Sequence, residues 1–376
     1  MKSSKILHVV AFDVPFPADY GGVIDVFYKL KALHNAGVKI ILHCFEYGRS
    51  AKEELEKITD KVYYYPRKNS RSLLFNTLPY IVLTRDSEAL KQQLLQDDFP
   101  ILMEGLHSTL LLNDDAFSKR NIIVRTHNIE HEYYNALAVV EKNIFKRYYF
   151  YNEAGKLLKY EKILKSATNV AAISPKDAEY FQKINTNTKY IPAFHPFDSI
   201  DISLIDEGFF LYHGNLAVGE NNEAAIYLVE KIFDDLPYKL IIAGNKPSVD
   251  LQKAVSRTDN VELKQHCSPE EIYQLISSAH CNILPTFQST GIKLKLLAAL
   301  FSGKFCIVNQ PMVQDTGLDH LCIIANDIAA MKQKVEAIAN EKEFSKVEIE
   351  KRKEYLELHF SNTESARQLI ELVFEK

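Results

Sequence analysis

At 376 residues the chain is longer than one hydrophobic core ordinarily organises, so two domains of somewhat under about 200 residues each are expected. Hydrophobic residues at 47% and charged residues at 25% exclude a disordered, collagenous or membrane-embedded class. The net charge of −4 is divided unevenly: residues 1–200 carry 27 Lys and Arg against 23 Asp and Glu, the remainder 18 against 26. The N-terminal half is therefore the part suited to an anionic surface, while a nucleic-acid partner finds no support.

The first apolar run, KILHVVAF, passes straight into acidic and proline residues and reads as a β-strand rather than a targeting segment. No run reaches the roughly 18 apolar residues of a membrane span, so any membrane contact is expected to be peripheral. Cys44, Cys267, Cys281, Cys306 and Cys322 are odd in number and never spaced C-x-x-C. That spacing argues for buried thiols in a reducing, cytoplasmic setting and against a disulfide framework or a zinc site.

Short β-branched runs alternate with segments of helical period, the pattern of parallel sheets wrapped by helices. Strands are expected at 5–12, 38–44, 61–65, 100–104, 121–126, 168–174 and 188–192, then at 208–213, 238–243, 260–264, 280–285, 304–309 and 320–325. After Gly21 and Gly22, the residues Val23, Val26, Phe27, Leu30 and Leu33 recur at helical spacing, and Gly37 marks the helix end. The stretch IPAFHPFDS (191–199) has two prolines and no period, and reads as a linker. The expected domains are 1–198, 199–358 and a C-terminal helix within 359–376.

Four stretches carry candidate chemistry. PFPADYGGVIDVF (15–27) places Gly21 and Gly22 where a strand turns into a helix, a position that suits either a plain turn or an anion- or sugar-binding loop. Glu104 and His107 in LMEGLHS, with His127, Asn128 and Glu130 in VRTHNIEHEYY, fall just past two strand ends, where ligands bind in open α/β sheets. FLYHGNLAVGENNEAA (210–225) offers Gly214, Asn215 and Asn222 as helix caps or ligand contacts. In HCNILPTFQSTGIKLKLLAALFSGKFCIV (280–308), the polar loop with Gln288, Ser289, Thr290 and Gly291, followed by Lys293 and Lys295, suits a diphosphate.

At these four places the chain resembles the GT-B glycosyltransferases, in particular the retaining family 4 group. RTHNIEHEYYNALA is similar to a subgroup with a His-Asn-x-Glu motif, and TGIKLKLLAALFSGK to the loop and helix that binds the nucleotide sugar. The resemblance implies an α/β fold of two facing Rossmann-like domains with a cleft between them. It further implies donor binding on the C-terminal domain, the acceptor on the N-terminal one, a final helix returning to the first domain, and His127 near the anomeric carbon. The donor motif diverges: many relatives have two glutamates where this chain has Thr290 and Ala298, and an arginine where Asn215 stands.

The expected function is transfer of a sugar from a nucleotide-diphosphate sugar to a glycan or lipid-linked acceptor, retaining, with no metal and no resident cofactor, since neither an Asp-x-Asp motif nor a ligand-spaced His/Cys cluster occurs. Two other readings stay open: a non-catalytic nucleotide- or glycan-binding protein, and a nucleotide-sugar 2-epimerase. Residues 66–80 and 141–165 mix Lys and Arg with aromatic residues. They suit either an anionic membrane surface, on the inner face of the membrane, or a buried aromatic face with solvated charges.

Overall fold

A computed structural model describes residues 5–203, 205–287, 294–341 and 343–375. By their contacts the residues fall into two units, one running through Pro196 and resuming at Phe360, the other from Phe197 to His359. Among the described residues each unit holds one wholly parallel sheet. The first consists of β1 (Ile6–Ala11), β2 (Lys39–Glu46), β3 (Lys61–Pro66), β4 (Ile101–Glu104), β5 (Ile122–Thr126), β6 (Asn169–Ala172) and β7 (Thr188–Tyr190), in the order β3-β2-β1-β4-β5-β6-β7. The second consists of β8 (Phe210–His213), β9 (Leu240–Ala243), β10 (Val261–Lys264), β11 (Cys281–Ile283), β12 (Phe305–Val308) and β13 (Ile323–Ile324), in the order β10-β9-β8-β11-β12-β13. Both are Rossmann-like, and every strand falls on a run expected from the sequence, with β2 and β3 extending two residues and one residue past the expected ends.

Each strand order reverses direction beside the unit's first strand, between β1 and β4 and between β8 and β11. At such a switch point the neighbouring connections leave toward opposite faces and open a crevice past the carboxyl ends. That is where the candidate side chains of each unit gather.

The Gly21–Asn35 helix forms on its apolar repeat: Val23, Val26, Leu30 and Leu33 are buried against β1 and β2 in one core with Leu7, Val9, Ile40 and Leu42. It ends where Gly37 takes a φ of +81° and donates its N–H to the His34 carbonyl, while Val38 donates to Leu33. The left-handed backbone there is open to glycine at little steric cost. The helix also buries Asp25 and Lys29 on the same face.

Residues 191–195, expected as part of a linker, are interior instead. Ile191, Ala193, Phe194 and His195 are buried, because the chain crosses beneath the first sheet's core before leaving it. His195 donates its N–H to Asn362 Oδ1, and Asn362 Nδ2 donates back to the His195 carbonyl. The Asn362–Phe374 helix packs Ala366, Leu369, Ile370, Leu372 and Val373 into the same core. Cys44, Cys281 and Cys306 are buried, and burial pushes the Cys44 and Cys281 thiols up, which leaves both poorly nucleophilic.

A chain of hydrogen bonds crosses the first sheet from β3 through β2 to β1. The Tyr65 hydroxyl lies 2.8 Å from His43 Nδ1, His43 Nε2 lies 2.8 Å from His8 Nδ1, and His8 Nε2 lies 3.0 Å from the Asp97 carboxylate. Asp97 only accepts, so His8 donates to it, His43 donates to His8, and Tyr65 donates to His43; both rings are neutral. Burial depresses both pKa values, carrying His43 down to about 3, with Asp97 pulling the other way on His8 and Arg120 adding to the depression.

A histidine with a depressed folded-state pKa contributes stability that is fully present above the unfolded value of about 6.5 and is lost as pH falls through it. Between pH 7.5 and pH 5, His43 alone accounts for a loss of about 2 kcal/mol. Urea unfolding at the two pH values should therefore show a fall in wild-type stability larger by about that amount than in a His43→Asn variant; equal falls would mean that His43 is not held neutral.

Candidate active site

In the first unit the site grows from two charges on an otherwise apolar helix face. Asp25 and Lys29 are one helical turn apart and wholly buried, with Lys29 Nζ donating to Asp25 Oδ2 at 2.7 Å and to Glu104 Oε2, at the end of β4, at 2.9 Å. Arg125, in the middle of the apolar strand β5, donates from its guanidinium to Asp25 Oδ1 at 3.0 Å and to the carbonyls of Ile191 and Pro192. The Phe194 N–H also donates to Asp25 Oδ1, at 2.8 Å. Burial alone would raise the Asp25 pKa, but the flanking Arg125 and Lys29 outweigh it and hold the carboxyl below its ordinary range.

Two carboxylates and two cations balance, and His127 completes the cluster. Its Nε2 lies 3.0 Å from Glu104 Oε2 and its Nδ1 lies 3.8 Å from Asp25 Oδ2. Both ring nitrogens thus turn toward carboxylates inside the domain, which equips the ring as an oriented dipole or cation more than as a free base. One ligand atom each from Asp25, Glu104 and His127 lie within 4.8 Å of one another, close enough for a metal ion. The carboxylate charge is already met by Lys29 and Arg125, so a divalent ion there would have to displace the Lys29 ammonium.

Around this cluster sit the other strand-end candidates. Gly105 has a φ of +68°, and a Cβ there would fall 2.8 Å from His107 Nδ1. The glycine lets the chain turn tightly off β4 and brings His107 under the Phe12 ring, whose centroid is 5.3 Å from His107 and 5.4 Å from His127. A Cβ on Gly22 would meet Phe12 Cζ at 2.7 Å, so Gly22 keeps that ring in place, whereas Gly21 faces open space. Burial pushes Glu130 up to about 7 against the opposing effect of an Asn128 hydrogen bond, and burial with Arg85 nearby lowers His107. Among the described residues, Glu104 Oε1, His107 Nδ1 and Thr126 Oγ1 are buried side-chain atoms with no hydrogen-bond partner.

In the second unit the corresponding place is the turn after β8. Gly214 and Asn215 form it, with Asn215 Oδ1 accepting from the Ala217 N–H and the Asn215 carbonyl accepting from Asn221 Nδ2. Asn222 exchanges two hydrogen bonds with Ser248. Lys295, in the first turn of the Leu294–Ser302 helix, reaches this turn: its Nζ donates to Asn221 Oδ1 at 2.9 Å and to the Tyr212 hydroxyl at 3.3 Å. Burial, and then the nearness of Lys295, lower His213 to about 3, and its Nε2 is buried without a partner. The Thr286 hydroxyl donates to the buried Glu220 carboxylate, which ties the end of the β11 segment to the helix that starts at Gly219.

A family model described as "Glycosyl transferases group 1" matches residues 208–341. Over 347 residues the chain is 30% identical to a protein of Klebsiella pneumoniae described as an uncharacterized 44.6 kDa protein in the cps region, covering 86% of this chain and 88% of that one. Among solved structures it is similar to TarM, with a TM-score of 0.71 at 11% identity over 100% of this chain and 99% of that one. HepE of Anabaena, solved with UDP and glucose, gives 0.67 at 11% identity over 98% of each chain. WaaG, a glycosyltransferase involved in lipopolysaccharide biosynthesis, gives 0.66 at 10% identity over 98% of this chain and 100% of that one.

The chain has the GT-B fold, and its residues 208–341 belong to the group 1 glycosyl transferases. In the first domain Glu104, His107, His127, Asn128 and Glu130 come together at the ends of β4 and β5, and in the second, Gly214, Asn215 and Lys295 share one turn. Gln288, Ser289, Thr290, Gly291 and Lys293 lie outside the described residues. Ala298, where many relatives have a glutamate, packs into the apolar cluster with Ile276 and Leu211. Sequence reasoning passed over Asp25, Lys29, Arg125 and His213. The signal for three of them was there, as charges interrupting the buried face of a helix and the middle of an apolar strand.

Removing Asp25 would leave the buried Arg125 guanidinium without its carboxylate while Lys29 keeps Glu104, the case in which a broken buried pair costs most. An Asp25→Ala variant should lose about 3–5 kcal/mol in urea unfolding. A loss below about 1 kcal/mol would mean that water reaches the cluster and screens it.

Proposed function

We propose that this glycosyltransferase moves a sugar from a nucleotide-diphosphate sugar to a glycan or lipid-linked acceptor, with retention at the anomeric carbon and with its own side chains in place of a metal. The observation that carries the reading is the Lys295 ammonium set against the turn after β8, which joins the two stretches singled out as donor-binding. The group 1 family match covers this same unit. HepE, solved with UDP and glucose, supports a nucleotide sugar as co-substrate.

The chemistry asks for stabilisation of a leaving diphosphate. Lys295 and the amides of the first turn of the Leu294–Ser302 helix present positive charge together, a preorganised arrangement that needs no rearrangement as negative charge develops. Lys293, Gly291, Thr290, Ser289 and Gln288 precede them in the chain and supply further donors in this reading. Charge-assisted bonds to a diphosphate contribute roughly 1.5–3 kcal/mol each.

His127 serves the reacting carbon in this scheme. With Nε2 at Glu104 and Nδ1 toward Asp25, it orients and polarises groups beside the sugar and is not the proton acceptor. Gly21, Gly22 and the strand-end residues of the first domain are the acceptor side.

A thermal-shift screen against UDP, GDP, ADP, CMP and their common sugar conjugates should reveal one nucleotide that raises the melting temperature, with a weaker rise in Lys295→Ala. No response to any nucleotide would transfer the assignment to a non-catalytic GT-B binding protein. With the donor so found, His127→Ala should lower its turnover by roughly a hundredfold while the nucleotide shift stays near wild type. An unchanged rate would remove His127 from the chemistry.

A further inference from the structure

The Ile144–Tyr160 helix carries an apolar stripe on the side turned away from its own domain. Ile144, Tyr148, Tyr151, Gly155 and Leu158 follow at intervals of four, three, four and three residues, and so share one face of the helix. That face is in solvent: Ile144 is 62% exposed, Tyr148 74%, Tyr151 49% and Leu158 47%, with Phe145 beside them at 80%. A Cβ at Gly155 would meet nothing within 4 Å. The opposite face, with Glu153, Ala154 and Leu157, is the buried one.

The charges of this helix differ in exposure. Lys146, Arg147 and Lys159 are exposed, whereas its one acid, Glu153, is buried and accepts from Lys156 Nζ and from the Tyr80 N–H. Lys156 also donates to the Leu74 carbonyl, which holds the Arg71–Phe75 turn against the helix and adds Phe75, 91% exposed, and the exposed Arg71 to the surface. The result is an aromatic and aliphatic ridge bordered by Arg147 and Lys159, while Lys146 falls at the spacing of Glu153 and Leu157 and the helix's carboxylate is buried.

This pattern selects the occupant. A second copy of the chain docking the same face about a two-fold axis would bring the Arg147 and Lys159 of both copies into one interface with no acid on either stripe to meet them. An anionic bilayer satisfies both parts at once, since tyrosine and phenylalanine settle at the level of the lipid headgroups and Lys and Arg meet lipid phosphates. We infer that the Ile144–Tyr160 helix lies along an anionic lipid surface, with Phe145 and Tyr148 entering the headgroup layer and Arg147 and Lys159 paired with lipid phosphates. The inference is independent of donor and acceptor identity.

The test uses the full chain and vesicles that contain no acceptor. The protein should co-float with mixed phosphatidylcholine and phosphatidylglycerol vesicles and not with phosphatidylcholine alone. Phe145→Ser with Tyr148→Ser should weaken that partition by roughly tenfold or more, and Arg147→Glu with Lys159→Glu should remove the preference for anionic lipid. All four positions are exposed, so unchanged melting temperatures are expected.

Because the chain has no tryptophan, a Tyr148→Trp variant reports on the site alone, and its emission should shift to the blue when anionic vesicles are added. Failure to bind anionic vesicles, binding unaffected by the serine variant, or an unmoved emission in the bound state would each overturn the inference. So would self-association in sedimentation velocity that the serine variant abolishes, since it would assign the stripe to a second copy.

Discussion

The first domain is organised around the Asp25 carboxylate. It accepts from Lys29 on its own helix, from Arg125 on β5 and from the Phe194 N–H on the segment that follows β7, so one buried anion ties three parts of the chain together. Lys29 passes the connection to Glu104, and Glu104 passes it to His127. Such a cluster gains little net stability over a well-packed apolar core of similar volume, because desolvation consumes most of the Coulombic attraction. What it supplies is definition: with every strong partner inside the cluster, His127 has a single favourable orientation.

The second domain achieves a comparable result with neutral groups and one cation. Tyr212, Asn215, Asn221 and Lys295 interlock at the end of β8, and Asn309 closes the neighbouring segment by exchanging hydrogen bonds with Thr286. Close approach of backbone is part of the design. A Cβ on Gly244 would stand 2.0 Å from the Gly214 carbonyl oxygen, so the ends of β8 and β9 meet only because residue 244 has no side chain. A turn set this tightly fixes where the Lys295 ammonium stands at its edge.

The outer surface follows a different rule from either site. Inside, each charge of the Asp25 cluster has an opposite charge within hydrogen-bonding distance; on the Ile144–Tyr160 helix the cations stand in solvent beside exposed aromatic rings. Burial demands pairing, since an isolated interior charge is prohibitive, whereas exposure does not. An exposed ridge with a single sign of charge is therefore informative about what meets it in a way that the balanced interior is not.

The fold was legible in the sequence: the thirteen strands among the described residues fall on the β-branched runs, β2 and β3 running slightly past them, and Val23, Val26, Leu30 and Leu33 on the first helix are buried as their spacing requires. The sequence also marked the strand ends at Glu104 and His127, because polar residues following an apolar run in an α/β pattern have few other places to be. Only the tertiary structure decided what those residues do to one another. Periodicity assigns a residue to a face but carries no information about which distant residue faces it. The Asp25–Arg125 pair spans 100 positions and Lys29–Glu104 spans 75, and neither leaves a local trace beyond a charge in an apolar context. For the same reason residues 191–195 read as a linker and proved to be interior: two prolines break a helical period, but burial of Phe194 and His195 depends on the sheet and the C-terminal helix that close over them.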